Sequence, residues 1–130
     1  MNKPAVIQDE GAERALLGTI LLSPGALDGA LGSGLAVTHF YDPKHRTIFA
    51  AMVRIRESEQ PVDLVTLAGR LEAEGALLRV GGYSYLAALP NSAPSVANSG
   101  AYASRIKDRA GVREVVQALE DLRERALAPG

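Results

Sequence analysis

The chain has 130 residues, with 14 Lys and Arg against 15 Asp and Glu, so its formal net charge is −1. That length suits one domain, and a hydrophobic content of 47% is enough for a core that buries roughly two-thirds of the unfolded surface. The charge balance argues against a whole-domain nucleic-acid binder, and the lack of Cys excludes disulfides, zinc–thiolate sites, iron–sulfur clusters and thiol nucleophiles.

Twenty-one Ala and 17 Leu head the composition. Both are strong helix formers, and strict polar/apolar alternation is scarce, so the chain reads as all-α. Residues 1–8 read as a flexible N-terminal arm and residues 9–92 as a globular helical head. Asp9 is placed to cap a first helix, with Glu10 and Glu13 near its dipole and Ala12, Leu16, Leu17, Ile20 and Leu21 as its apolar stripe. Ser23 and Pro24 open a short second helix that buries Ala26, Leu27, Ala30 and Leu31 and stops at Gly32-Ser33-Gly34. Asp42-Pro43 starts a third, with Ile48, Phe49, Met52, Val53 and Ile55 inward and Phe40 and Tyr41 folding back onto it. Asp63 caps a fourth helix bearing Leu64, Val65, Leu67, Ala68 and Leu71, closed near Gly75. Gly81-Gly82 precede a short fifth helix with Tyr83, Tyr85, Leu86 and Leu89.

After Pro90-Asn91-Ser92-Ala93-Pro94 the pattern changes. From Ser95 to Leu127 there is no Pro, and only Gly100 and Gly111 interrupt an amphipathic run, which predicts one helix of roughly 45 Å. Such a helix outruns a small head and calls for a partner helix or a partner chain. The carboxylates fall at helix caps and helix surfaces, where solvation is their ordinary role. His39 and His45 with Asp42 are too few for a closed metal site, there is no phosphate-binding G-x-x-x-x-G-K-[ST], and no catalytic residue is expected. The longest charge-free run, Val80–Ser104, is broken by Pro, Asn, Ser and Gly, so no membrane span is expected. The start, Met1-Asn2-Lys3-Pro4, lacks the apolar stretch of a signal peptide.

Several blocks, in order, resemble the N-terminal domain of the DnaB replicative helicases. They are Ala12-Glu13-Arg14-Ala15-Leu16-Leu17-Gly18; Phe40-Tyr41 with His45, Ile48-Phe49 and Met52; and Pro61-Val62-Asp63-Leu64-Val65-Thr66-Leu67. Val80-Gly81-Gly82 with Tyr85-Leu86 and Leu89, then Pro94-Ser95-Val96-Ala97-Asn98, Tyr102-Ala103 and Arg113 complete the match. Gly11 stands where the family usually has a second acidic residue, and Gly111 where it usually has a better helix former.

The resemblance implies a non-catalytic collar of a hexameric ring helicase, cytoplasmic, assembling as a trimer of dimers and docking the C-terminal domain of primase. It implies that residues 93–130 are the first arm of a helical hairpin. ATP and Mg belong to a separate C-terminal domain, so no cofactor is expected in this chain, and a helicase loader is a further partner. Carried over by position, Tyr85, Val116 and Leu122 are expected near primase. Tyr102, Ile106, Val112 and Leu119 are expected in self-association, with Tyr102 and Ile106 holding the long helix either to the head or to a dimer mate.

Two other functions fit an all-α chain of this kind. A stand-alone helical adaptor needs nothing more. A helix-turn-helix module would use Leu64–Leu71 and Tyr83–Leu89. Against it, the connection from Gly75 to Gly82 exceeds the usual turn, and the second helix has no Lys, Arg, Asn or Gln to read bases. Little direct DNA binding is therefore expected.

Overall fold

The computed structural model describes residues 7–129; residues 1–6 of the expected arm and Gly130 lie outside the described residues. Six α-helices follow in order: α1 Glu10–Leu22, α2 Gly25–Gly32, α3 Pro43–Glu57, α4 Leu64–Ala73, α5 Gly82–Ala88 and α6 Ser99–Leu127. Three 3-10 turns, Val37–His39, Leu89–Ser92 and Val96–Asn98, join them, and no strand occurs among the described residues.

The caps follow local side-chain chemistry. Asp9 accepts the Ala12 N–H at 2.9 Å and Asp42 the Lys44 N–H at 2.9 Å, satisfying first-turn donors that have no intrahelical partner. At α4, Asp63 accepts from the Thr66 N–H while Thr66 Oγ1 accepts from the Asp63 N–H, a reciprocal pair. That helix ends where Gly75 takes φ +69°, which lets the Ala76 N–H return to the Leu71 carbonyl at 2.8 Å.

α1 is the central helix. It packs against α2, α3, α6 and the 3-10 turn at Leu89–Ser92. Its Leu16, Leu17 and Ile20 join Phe40, Ile48, Phe49, Met52, Ile55, Leu67, Leu71 and Leu86 in one core. Phe40 and Phe49 meet with ring centroids 4.9 Å apart. Gly18 lets the Leu89–Ser92 turn lie directly on α1: a Cβ there would sit 2.0 Å from the Leu89 carbonyl oxygen.

Several expectations shift. α2 begins at Gly25, and Pro24 rather than Ser23 is the residue flanking it, with no side-chain cap bond. α6 begins at Ser99 rather than Ser95, because Val96–Asn98 wind as a 3-10 turn. Leu89 belongs to the turn after α5, where it is buried. Val65 and Tyr41 point outward rather than into the core. Tyr41 lies instead beneath the Arg113 guanidinium, 5.4 Å from its ring centroid.

Candidate docking surface

α6 is 29 residues long, ~43 Å at 1.5 Å per residue. Its first half lies on the head. Ala103, Ile106 and Ala110 are buried there, Arg105 pairs with Asp9 at 2.8 Å, and Lys107 donates to the Ser33 carbonyl. Arg113 fixes the point of departure, donating to the carbonyls of Ile7 at 2.8 Å and His39 at 2.7 Å. Burial works against the Asp9 carboxylate, but the Ala12 N–H and the Arg105 guanidinium outweigh it and hold its pKa below the ordinary 3.8.

Beyond Arg113 every described residue of α6 is exposed. This half still carries large apolar groups: Val115, Val116, Leu119, Leu122 and Leu127. Val112, Val115, Leu119 and Leu122 recur at alternating spacings of three and four, the pattern of a seam that packs on another helix. At ~100° per residue, Ala103, Ile106, Ala110 and Arg113 share a sector of ~80° that faces the head. The seam is centred ~180° away from it. The apolar side of α6 thus changes by half a turn at Ala110–Gly111, and the seam looks away from the head.

The predicted contact residues divide accordingly. Val112 is half-buried, whereas Val116, Leu119 and Leu122 are open on distal α6. Ile106 is 1% exposed and packed into the head. Half-buried Tyr102 packs against the same core, and its hydroxyl donates to the Ser95 carbonyl.

Tyr85 is on the head, on α5, and only half-buried. Its hydroxyl is 2.7 Å from His45 Nε2, and His45 Nδ1 is 2.7 Å from Glu13 Oε1. Glu13 also accepts the Tyr41 N–H at 2.6 Å and the Asp42 N–H at 3.2 Å. Burial raises the Tyr85 pKa above the ordinary 10.0, and the negative charge of Asp42 adds to it. Glu13 and His45 are buried, so Glu13 is not the solvated dipole partner its sequence position suggests, and the Tyr85 hydroxyl is tied to this buried pair through His45. The spacing of Glu13 among Ala12, Leu16 and Leu17 on the buried side of α1 is the one sequence signal of this. Among the described residues no group of three or more His, Cys, Asp or Glu is placed to hold a metal, and no helix is long and apolar enough to cross a membrane.

A compact head of short helices with a long, apolar-seamed helix running off it is the form of an assembly and docking domain. A family model described as the DnaB-like helicase N terminal domain matches residues 6–108, and the chain belongs to that family. It is 36% identical over 118 residues to the replicative DNA helicase DnaB of Haemophilus influenzae, covering 91% of this chain and 25% of that protein. With the Mycobacterium leprae DnaB it shares 37% over 111 residues, 85% of this chain and 18% of the relative. The chain therefore spans about a fifth to a quarter of these relatives. The crystal structure of the DnaB N-terminal domain from Mycobacterium tuberculosis superposes with a TM-score of 0.91 at 34% identity, covering 96% of this chain and 90% of that one. A DnaB-like replicative helicase whose structure was described together with its interactions with primase superposes at 0.77, with 26% identity, over 90% of this chain and 27% of that one.

Proposed function

We propose that this chain is the non-catalytic collar of a hexameric replicative DNA helicase, a cytoplasmic protein of DNA replication. It mediates ring assembly as a trimer of dimers and docks the C-terminal domain of primase. ATP and Mg act in a separate C-terminal ATPase domain of the whole protein, and a helicase loader is a further partner. The observation that carries this reading is the apolar seam on distal α6, turned away from the head. Left in water it is a run of exposed apolar side chains along one side of one helix, and such a contiguous patch marks an interaction site. The named interaction of a structural relative with primase supports the choice of partner.

On this reading Val112 and Leu119 meet a second helix, while Tyr85, Val116 and Leu122 face primase. The resemblance supplies that division. Two variants test it. Leu119→Asp should reduce self-association in sedimentation velocity, and Val116→Asp should weaken binding of the primase C-terminal domain in a calorimetric titration by roughly tenfold or more, the loss of a buried apolar anchor. Both should leave the melting temperature of the head in place, because both side chains are exposed. Unchanged self-association and unchanged primase affinity would overturn the reading.

A further inference from the structure

Four of the seven Lys and Arg between residues 9 and 92 are paired: Arg14 meets Glu10, Arg54 and Arg70 share Glu74, and Arg56 meets Asp28. Lys44 and Arg79 have no carboxylate partner among the described residues. They line one concavity of about 120 Å3 together with Pro43 and Thr47, at the start of α3 and beside the turn that leads into α5. Lys44 Nζ stands 4.3 Å above the ring of Tyr85, which attracts the ammonium without neutralising it. The carboxylates beside them are committed elsewhere. Asp42 caps α3, and Glu13 is buried against His45 and two backbone N–H groups. Arg46, the other unpaired cation of α3, lies ~200° around the helix from Lys44 and does not line the concavity.

We propose that Lys44 and Arg79 form an electrostatic docking site beside Tyr85 for an acidic segment of the protein partner, one that places Asp or Glu side chains in this concavity. The inference rests on the reading of Tyr85 as part of the primase contact and adds the chemistry that the contact selects. A protein segment fits better than a nucleic-acid strand for two reasons. A strand needs a basic track several nucleotides long with stacking aromatics, whereas here two cations share one small hollow. The net charge of −1 and the Asp42 carboxylate alongside disfavour a polyphosphate. Discrete carboxylates reach between such charges where a continuous phosphate backbone does not.

The test titrates this chain with the primase C-terminal domain, followed by fluorescence anisotropy at about 50 and about 300 mM salt, concentrations that screen an exposed pair weakly and strongly. The wild-type affinity should fall with salt. The double variant Lys44→Glu/Arg79→Glu should lose roughly tenfold at low salt and much less at high salt, the behaviour of rim charges. Arg79→Glu alone, at an exposed position away from the cation–ring contact, should show a smaller loss of the same salt dependence and guards against any disturbance of the Tyr85 ring. Wild-type binding that the charge variants retain, or lose equally at both salts, would overturn the inference and leave the docking reading in place. No wild-type binding at all would overturn both. Charge-sensitive binding of a single-stranded oligonucleotide, with primase binding unmoved, would replace the acidic segment by a nucleic acid.

Discussion

Glu13 is a carboxylate 1% exposed, the one charged side chain among the buried residues of α1. Taking a carboxylate out of water costs several kcal/mol unless its lone pairs are met. Two backbone N–H groups and one imidazole meet them. The backbone donors come from Tyr41 and Asp42, where the chain turns into α3, so this one side chain fixes how α3 enters the core. Glu13→Ala leaves those two N–H groups and His45 without their acceptor. Each buried orphan costs ~1–3 kcal/mol, so the variant should lose about 3 kcal/mol or more in denaturant unfolding. A change within about 0.5 kcal/mol would mean that water satisfies these groups as well as the carboxylate does.

At the scale of elements, α1 and the Leu89–Ser92 turn pack backbone to side-chain-free backbone. Gly18→Ala would drive a methyl to 2.0 Å from the Leu89 carbonyl oxygen and 2.7 Å from its carbon. The blocking atoms are main chain, so the turn or the helix must move, at ~1–3 kcal/mol. A lowered midpoint in thermal unfolding is the expected outcome; an unchanged midpoint would show that the turn shifts freely. Most of the elements are legible in the sequence because their signals are local. Asp9, Asp42 and Asp63 as caps, Gly75 as a terminator and the apolar stripes of α1 and α3 each depend on residues a few places apart. The Gly18 contact and the Glu13–His45–Tyr85 chain join residues 32 to 71 places apart, and such pairing leaves no local trace. For the same reason the spacing of Ile106 does not reveal that its side chain is buried in the head. The distal seam was visible as apolar residues, but its direction relative to the head was not.

Across the whole molecule, α6 joins the head through its first half alone: an apolar strip of Tyr102, Ala103, Ile106 and Ala110, and polar ties at Asp9, Ser33 and Arg113. The Asp9–Arg105 tie carries a pH signature. The folded carboxylate has its pKa lowered below 3.8, so its contribution to stability is fully present above that value and disappears as pH falls through the folded pKa. Asp9→Asn keeps the capping oxygen and removes the charge. At neutral pH it should cost about 0.3–1 kcal/mol, since both partners are partly exposed. The gap between the two proteins in urea unfolding should then close below pH 3.8. A gap that persists at lower pH would assign the effect to the cap rather than to the ion pair.

Because one unbroken α6 bears both the strip that grips the head and the seam that faces away from it, the two are geared in phase. One residue inserted between Ala110 and Gly111 would turn the seam by ~100°, and would swing whatever rests on it more than a quarter of the way around the head. Four inserted residues would bring it back to within ~40° while pushing it ~6 Å farther out. Helix length at this joint therefore sets bearing as well as reach, and a partner's direction is encoded by counting residues rather than by their identity.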